Sequence, residues 1–333
     1  MDQEKLKIAL IAGGYSGEYT VSLSSQEGLM KFLSDSPYEI YPVLLRRDHW
    51  TVLGLEGDPE IDKGDFSFVH PETGRKVRFD FAYITIHGTP GEDGHLTGYL
   101  DMLQIPYSCC PTLIGALTFD KYVCARYLST FGIKIAPAVR LTKYDRIDID
   151  DLLREPGLPC FVKPNNGGSS IATTHVTERE QLQPAIEKAL AESGDVMIQS
   201  LITGTEITCG AYEDAEGIHI LPITEVVPKS EFFDYDAKYN GAVDEITPAR
   251  IPEETTARVR DLTHRIYRHL RAAGIIRVDY FIESDGTPVL LEVNTTPGMT
   301  ATSFIPQQIR AAGLAPGKVL EGIIDFLYQR SRR

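Results

Sequence analysis

The first hundred residues alternate between short apolar runs and polar or glycine-containing segments. The apolar runs are LKIALIAGG, YEIYPVLLRR and FDFAYITIHG, and residues 24–33 between the first two have a helical pattern. Apolar runs of this length, separated by a helix and ended by glycine, are typical of buried parallel strands. The pattern predicts a small doubly wound α/β unit over residues 1–109.

Residues 110–199 have the pattern of a second unit. A helix is predicted through DKYVCARYLSTFG, followed by a strand at PCFVKP and a glycine and serine loop at NNGGSS. A polar helix over residues 177–193 and a strand at VMIQSLI complete this part. We therefore expect a central domain that ends near residue 199.

Residues 200–333 form the third predicted unit. Strands are expected around ITCGAY and HILPITEVV, and a long helix over residues 252–273 precedes two strands within 277–294 and a final helix from Gly317. Residues 229–249 are too aromatic for a linker and too polar for a core. Long loops of this kind often close over a site, so we interpret this segment as a lid.

The composition is that of a folded protein with room for two or three compact units. The 333 residues are 42% hydrophobic and the formal net charge is -14, without a basic run except at the last residues. This acidity argues against a nucleic-acid surface. No stretch approaches the about 20 apolar residues of a membrane span, and the apolar start ends at a glycine pair, unlike a signal peptide. Five cysteines without CxxC spacing indicate free thiols in a reducing cytoplasm.

The segment RVDYFIESDGTPVLLEVN has the pattern of a β-hairpin with an Asp-Gly turn at residues 285–286. With the turn centred there, Asp279 faces Glu292 and Arg277 faces Asn294. Because side chains alternate along a strand, all four lie on one face of the hairpin.

Two facing carboxylates repel each other unless a cation lies between them. Together with the amide oxygen of Asn294, the oxygens of Asp279 and Glu292 are a set suited to magnesium that also holds nucleotide phosphates. The alternative is a solvated face whose acids pair with Arg277 or a nearby lysine.

The loops after the first two predicted parallel strands carry further polar side chains. Glu18 follows Gly13-Gly14, where a dinucleotide loop would lie, but Ala12 breaks the GxGxxG pattern. A carboxylate there is better suited to an ammonium group than to a pyrophosphate. His87 follows the next strand, so that both side chains are expected at the ligand-binding edge of the sheet. A structural histidine and a simple tight turn are the alternatives.

Two lysines are candidates for phosphate binding. Lys163 ends the strand FVKP and is followed by the loop at residues 167–170, whose backbone amides and hydroxyls could surround a phosphate. The loop lacks the order of a P-loop. Lys121 begins a predicted helix. Each lysine alone would more often be a solvated surface residue.

Five motifs occur in order along nearly the whole chain. They are AGGxSxE ending at Glu18, HGxxGEDG from His87, the run at residues 163–170, DYDAKY ending at Tyr239, and the hairpin strands with EVNTTPGMT from Glu292. Together they resemble the D-alanine–D-alanine ligase family of the ATP-grasp superfamily. The resemblance implies an N-terminal α/β domain followed by the two-domain ATP-grasp fold, with ATP between the second and third domains.

The resemblance also implies roles in nucleotide and metal binding. The implied phosphate ligands are Lys121 and Lys163, the implied hinge residues beside adenine are Gln199, Leu201 and Ile202, and the implied ribose ligand is Glu206. The implied ligands of two Mg²⁺ ions, for which Mn²⁺ can substitute, are Asp279, Glu292 and Asn294.

The amino acids are expected between the first and third domains. The ammonium of the first D-alanine would be held by Glu18 and His87, the oxyanion by Arg277 and the backbone at Gly298, and the second D-alanine by Ser303. Ser169 and Tyr239 would join Glu18 in a triad that closes the lid, and Lys238 would reach the transferred phosphoryl group.

The chain departs from the family pattern at two places. The hinge reads QSLI from Gln199, where the family has a glutamate and then a lysine. We expect Gln199 to accept a hydrogen bond from the adenine amino group more weakly than a carboxylate would. The loop after Ser170 reads IATT where a further glycine is common, so the loop should be stiffer.

The resemblance implies ATP-dependent ligation of two D-alanines through D-alanyl phosphate, for peptidoglycan precursor synthesis. We expect a cytoplasmic homodimer that binds neither nucleic acid nor membranes. Three alternatives remain open: another ATP-grasp carboxylate–amine ligase, a nucleotide-binding protein without turnover, and more distantly a Rossmann oxidoreductase.

Overall fold

The protein is described by a computed structural model over residues 5–168, 171–228 and 243–332. Its N-terminal sheet has four strands in the order β3–β2–β1–β6. These are β1 (Lys7–Gly13), β2 (Glu39–Leu45), β3 (Trp50–Val52) and β6 (Phe81–Ile84), with a separate hairpin of β4 (Ser67–Val69) and β5 (Lys76–Arg78). Helix α1 (Tyr19–Phe32) joins β1 to β2, and β1 is parallel to both β2 and β6. The predicted parallel core is confirmed, and the carboxyl ends of β1 and β6 meet at one edge.

Three helices lead from the first sheet to the second. They are α2 (His95–Met102), α3 (Thr112–Phe119) and α4 (Lys121–Ser129). The sequence patterns predicted only α4 among them. Helices α2 and α3 are eight residues each, too short to show a convincing helical repeat.

The central sheet is antiparallel and has the order β7–β10–β8–β9. Its strands are β7 (Ala138–Thr142), β8 (Cys160–Pro164), β9 (Thr174–Val176) and β10 (Asp195–Ser200), with helices α5 (Ile149–Leu152) and α6 (Leu182–Ser193). Helix α6 packs its buried side chains against Val162 and Ile198. Because side chains alternate, Lys163 and Gln199 lie on the face away from α6.

The third sheet has the order β14–β13–β11–β15–β16, and β12 pairs with β11. The strands are β11 (Thr205–Asp214), β12 (Gly217–Ile220), β13 (Thr224–Pro228), β14 (Val243–Ile246), β15 (Ile275–Ile282) and β16 (Pro288–Asn294), and the helices are α7 (Glu253–Leu270), α8 (Phe304–Ala311) and α9 (Pro316–Ser331). The end of the predicted lid has structure of its own, because Val243–Ile246 is a strand paired with β13, and the lid role of residues 229–249 stays a prediction. Residues 229–242 lie outside the described residues.

The third sheet shares a hydrophobic core with each of the other units. Cys124 and Leu128 of α4 pack with Val278 and other residues of the third sheet. Leu10 of the first sheet shares a second core with Ile324 of α9. The third sheet therefore holds the elements on both sides of it in place.

Cysteine and helix properties agree with the sequence analysis. All five cysteines are buried and none is bonded to another, which confirms the expected free thiols. Among the described helices, none is long and apolar enough to cross a membrane.

Candidate active site

The hairpin of β15 and β16 carries two facing carboxylates. Asp279 pairs with Glu292 and Arg277 with Asn294, which confirms the predicted register. The predicted two-residue turn is wrong, because the strands close with a five-residue loop at 283–287 that shifts the pairing by one residue. A bulge beside Asp279 shifts the pairing back. The two shifts cancel, so the carboxylates remain opposite each other.

Cations from two elements neutralise these carboxylates. Arg277 Nε lies 2.9 Å from Asp279 Oδ1 and its Nη2 lies 2.8 Å from Oδ2. The hydroxyl of Thr208 on β11 donates to Asp279 Oδ1 at 2.5 Å. Lys121 Nζ lies 3.6 Å from Glu292 Oε2. Burial acts to lower the pKa of Arg277, but the carboxylates of Asp279 and Glu292 outweigh it and raise the pKa.

The two predicted phosphate-binding lysines lie in different places. Lys121 is the first residue of α4, faces the hairpin and donates from Nζ to the carbonyl oxygen of Gly167 in the glycine loop. Lys163 lies on β8, before that loop, and its Nζ donates to Gln199 Oε1 at 2.9 Å. Ala172, after the loop, has φ +54. A left-handed conformation costs a non-glycine residue about 1–2 kcal/mol, and the stiffness of the loop stays a prediction.

Glu18 and His87 lie together at the edge of the first sheet, as predicted. The glycine loop touches Glu18, since a Cβ atom built on Gly168 would lie 2.6 Å from Glu18 Oε2. His87 is 4% exposed, and Ser25 Oγ lies 3.4 Å from its Nε2. Burial lowers the pKa of His87, although Glu18 partly opposes this. The neutral imidazole could accept a hydrogen bond from an ammonium group.

The start of α8 forms another wall of the same region. Ser303 is the N-cap residue, but its hydroxyl contacts Thr300, whose N lies at 3.1 Å and whose Oγ1 lies at 2.7 Å, instead of capping the helix. The first N–H groups of α8 therefore lack a side-chain cap and favour an anion. Gly298 lies against Ser303, because a Cβ there would be 3.0 Å from Ser303 Oγ.

Most of these groups, though not Lys163, line one cavity of about 460 Å³ between the three units. Among the described residues, six lining carboxylates face only two permanently charged cations. The carboxylates are Glu18, Glu92, Glu206, Glu245, Asp279 and Glu292, and the cations are Lys121 and Arg277. Even with Glu92 mostly neutral at pH 7, because its pKa is raised to about 8, the acids outnumber the cations, and the cavity is suited to cationic ligands such as metal ions and ammonium groups.

Glu92 and Glu245 are cavity residues for which the sequence analysis assigned no role. Glu92 accepts a hydrogen bond from Gly88 N at 2.6 Å, and burial raises its pKa to about 8. Glu245 on β14 accepts a hydrogen bond from Gln307 Nε2 at 2.5 Å. Burial also raises the pKa of Glu245. Glu92 belongs to the HGxxGEDG motif, which was a usable signal, whereas no motif pointed to Glu245.

Gln199 Oε1 accepts a hydrogen bond from Lys163 Nζ at 2.9 Å, a contact that the sequence did not predict. The amide oxygen keeps a second lone pair, and its predicted bond to the adenine amino group stays a prediction. Leu201 and Ile202 continue the chain from β10 to β11, and Leu201 N donates to Pro159 O at 3.1 Å. The predicted residues Ser169, Lys238 and Tyr239 lie outside the described residues.

Comparison with known proteins identifies the family. Residues 7–110 match the D-ala D-ala ligase N-terminus family, and residues 127–325 match the D-ala D-ala ligase C-terminus family. A D-alanine--D-alanine ligase of Porphyromonas gingivalis is 58% identical over 319 residues, which cover 95% of this chain and 96% of the relative. This chain belongs to the D-alanine–D-alanine ligase family.

Solved structures agree with this family over the full length. The VanG D-Ala:D-Ser ligase from Enterococcus faecalis is 30% identical with a TM-score of 0.85 and covers 98% of this chain and 100% of its own. A Bacillus anthracis D-alanine--D-Alanine ligase complexed with ATP is 30% identical with a TM-score of 0.79, covering 98% and 99%. The predicted fold class, an N-terminal doubly wound domain followed by the ATP-grasp fold, is confirmed.

The close approach of the glycine loop to Glu18 predicts the effect of Gly168→Ala. The added methyl group would push the Glu18 carboxylate aside, because a flexible side chain yields more easily than backbone. We expect the fold to survive and the KM of this D-alanine ligase family member for D-alanine to rise about 10- to 100-fold. Steady-state kinetics and thermal unfolding test this. Gly322→Ala on α9 is the control, because a Cβ there would make only ordinary contacts, at 3.8 Å or more. Unchanged KM in Gly168→Ala would contradict the contact.

The buried carboxyl of Glu92 predicts a pH-dependent stability difference. Its pKa is about 8 in the folded protein, against an ordinary value of 4.5. Below pH 4.5 the Glu92 carboxyl is protonated in both the folded and the unfolded protein. Between pH 4.5 and about 8 it is protonated only in the folded protein, so unfolding releases a proton. The free energy of unfolding therefore falls by about 1.4 kcal/mol for each unit of rising pH in this range. Glu92→Gln should remove this slope and gain stability over the parent as the pH rises to about 8. The free energies of unfolding of the parent and the variant, measured with denaturant at pH 5, 6.5 and 8, test this. If both changed with pH in parallel, Glu92 would not be protonated in the folded protein.

Proposed function

We propose that the protein joins two D-alanine molecules into D-alanyl-D-alanine and consumes ATP through a D-alanyl phosphate intermediate. It is an ATP-dependent ligase whose product serves peptidoglycan precursor synthesis. The observation that carries the proposal is the cavity between the three units, where the facing carboxylates Asp279 and Glu292, the cations Arg277 and Lys121 and an uncapped helix start converge. The family membership supports the same reaction.

A carboxylate does not react with an amine at neutral pH until its oxygen becomes a good leaving group. In the proposed reaction, a carboxylate oxygen of the first D-alanine attacks the γ-phosphorus of ATP, and ADP leaves. The amine of the second D-alanine then attacks the acyl carbon, phosphate departs and a proton is lost. The Arg277 guanidinium is buried and held by Asp279, so it is fixed in place to stabilise the oxyanion of the tetrahedral intermediate.

The hairpin side chains fit magnesium as a cofactor. Asp279 Oδ1 already accepts two hydrogen bonds, but Oδ2 accepts one and keeps a lone pair for a metal. Asn294 Oδ1 accepts one bond, from Thr296 N at 2.9 Å, and also keeps a lone pair. Within the described ranges, no three His, Cys, Asp or Glu side chains lie close enough together to hold a metal ion by themselves, so nucleotide oxygens and water would complete the coordination. When bound, two Mg²⁺ or Mn²⁺ ions held by these residues and Glu292 would offset the charge on the phosphates.

Further predicted residues would bind the phosphates, the ribose and the base of the nucleotide. Lys121, beside the glycine loop, would contact the phosphates, and Lys163 would contact the nucleotide farther along β8. Glu206, which lines the cavity, would accept hydrogen bonds from the ribose hydroxyls. The segment from Gln199 through Leu201 and Ile202 would flank the base.

The first D-alanine fits the edge of the N-terminal sheet. Glu18 supplies a carboxylate for its ammonium group, and the neutral imidazole of His87 supplies an acceptor beside it. The second D-alanine would place its carboxylate at the uncapped start of α8, on Ser303. The backbone at Gly298 would assist Arg277 at the oxyanion. Ser169, Tyr239 and Lys238 are proposed to close the site over both substrates.

We also propose a cytoplasmic homodimer. Five buried, unbonded thiols support a reducing compartment. Met102 and Leu113 are 77% and 73% exposed and adjoin Asp101 and Thr112, whose side chains are hydrogen-bonded at 2.7 Å. Exposed apolar side chains on both α2 and α3 support a contact between subunits on this side of the protein.

The reaction predicts nucleotide turnover that depends on the configuration of the amino acid. ADP release should require D-alanine and be at least about 100-fold slower with L-alanine. The L-enantiomer cannot place its ammonium group and its carboxylate in their subsites at the same time. A coupled ADP assay with both alanines, D-serine and D-lactate, with product analysis by mass spectrometry, measures this. ATP turnover that ignores D-alanine would contradict the proposal, and a preference for another amino acid would favour a different ATP-grasp ligase.

The hairpin site predicts a large effect of Glu292→Gln. The variant keeps the shape of the side chain but removes a charge that faces Asp279, so kcat should fall about 100-fold or more and the magnesium requirement should change. Glu283→Gln, at the loop of the same hairpin, is a matched control that loses only an exposed ion pair with Lys134. Ligase activity is measured across a magnesium titration. If Glu292→Gln behaved like Glu283→Gln, the assignment of Glu292 to the metal site would be contradicted.

A further inference from the structure

Gln308 of α8 is a fully buried polar side chain that takes no part in the reaction described above. Its exposed fraction is 0%. Its Oε1 accepts a hydrogen bond from Gly210 N at 2.9 Å. Its Nε2 donates to Thr208 O at 3.1 Å and to Thr224 Oγ1 at 3.0 Å. Because a backbone N–H only donates and a backbone carbonyl only accepts, these contacts fix the orientation of the amide.

The amide of Gln308 fills a gap in the third sheet. Strand β11 pairs with β13 up to Thr208 and with β12 from Ala211 onward, and Gly210 lies between these two pairings. There the Gln308 amide bonds to the backbone of β11 as a peptide group of a neighbouring strand would. Unpaired buried polar groups are costly, so these directional contacts favour a single position of α8 on the sheet.

Glycine at position 210 lets α8 approach the strand closely. A Cβ atom built on Gly210 would lie 2.6 Å from Ile305 Cδ1 and 2.7 Å from Gln308 Oε1. A side chain at this position would therefore push both residues of the helix away from the sheet. The close packing and the amide contacts act at the same point of β11.

The residues of β11 that contact Gln308 lie beside the charged residues of β15. Thr208 pairs with Asp279, and Gly210 pairs with Arg277. The Thr208 hydroxyl also donates to Asp279 Oδ1 at 2.5 Å. Gln308 is thus attached to the sheet at the level of the two residues proposed to hold a metal and the oxyanion.

Helix α8 carries this attachment to the cavity. Ser303 precedes Gln308 by five residues, which corresponds to roughly 7.5 Å along an α-helix. Ser303 and Arg277 line the same cavity. The position of the helix start relative to the Arg277 guanidinium therefore depends on where α8 rests on β11.

We propose that Gln308 is a positioning residue for the second D-alanine. It holds the start of α8 at the distance from Arg277 at which the bound carboxylate leaves the amine facing the acyl carbon. This inference rests on the proposed function, which places the second D-alanine at this helix start. Loss of the Gln308 amide should impair the attack of the second D-alanine and spare the formation of D-alanyl phosphate.

Gln308→Met separates these two steps, because methionine fills a similar volume without the amide. D-Alanyl phosphate formation is followed as positional isotope exchange in ATP labelled with oxygen-18 in the βγ bridge, with D-alanine filling only the first subsite. The exchange rate should stay within about three-fold of the parent, as for a distant, independent site. The KM for the second D-alanine in dipeptide formation should rise about 10- to 100-fold.

Thr263→Val on α7 is the matched control. It removes another fully buried hydrogen-bonding group, a hydroxyl that contacts the core residue Tyr280 at its Oη at 2.8 Å. It should lower the melting temperature and leave the second KM unchanged. Gly210→Ala displaces Gln308 from the opposite side, should reproduce the effects of Gln308→Met, and decides the matter if that variant does not fold.

Two results would overturn the inference. One is an unchanged second KM in Gln308→Met or Gly210→Ala. The other is an equal loss of isotope exchange and dipeptide formation, or an equal rise of the second KM in Thr263→Val, since either indicates general destabilisation. Isotope exchange and dipeptide formation that both fail in the unaltered enzyme would instead reject the proposed reaction.

Hydrogen exchange measures the contact independently of turnover. The backbone N–H of Gly210 donates to Gln308, so its exchange with solvent should be at least about ten-fold faster in Gln308→Met than in the parent. Thr263→Val should leave this N–H more protected than Gln308→Met does. An unchanged exchange rate at Gly210 in Gln308→Met would reject the attachment of α8 through Gln308, whatever the enzyme ligates.

Discussion

The site depends on the repulsion between Asp279 and Glu292, which the hairpin holds opposite each other. Two carboxylates that face each other across a hairpin, away from most of the solvent, both stay charged only with cations beside them. Arg277 comes from the same strand, whereas Lys121 comes from α4, far away in sequence. Neutralising the pair therefore requires α4 to pack on the third sheet, and the shared core of Cys124, Leu128 and the sheet provides this.

The same requirement links the glycine loop to the catalytic hairpin. Lys121 contacts both Glu292 and the carbonyl oxygen of Gly167, so the position of the loop and the charge of the hairpin are coupled. On its other side, the loop approaches Glu18 so closely that Gly168 cannot carry a side chain without displacing it. Residues from all three units thus meet at one loop, which is suited to enclosing a reactive acyl phosphate away from water.

The negative charge of the cavity is a cost to the empty protein that its ligands would relieve. Burial raises the pKa of Glu92 to about 8, so this carboxyl avoids adding a further charge at neutral pH. The remaining carboxylates suit magnesium and the ammonium groups of amino acids. The lowered pKa of His87 has a matching effect, because a neutral imidazole does not repel an ammonium group. Binding and charge compensation are therefore the same event in this site.

The sequence by itself determined the long buried strands, the family and the facing of Asp279 and Glu292, because alternation and motif order are local properties of the chain, whereas short strands such as β3, β7 and β9 were not predicted. Its two-residue turn was wrong, and the register survived because a bulge offset the error. The orientation of the Gln199 amide, the raised pKa of Glu92 and the position of Glu245 could not be predicted in this way. Each depends on a neighbour from a distant segment, namely Lys163, the buried surroundings of the cavity and Gln307. Only the tertiary structure decided which polar atoms are occupied, because burial and hydrogen-bond partners are set by packing between segments.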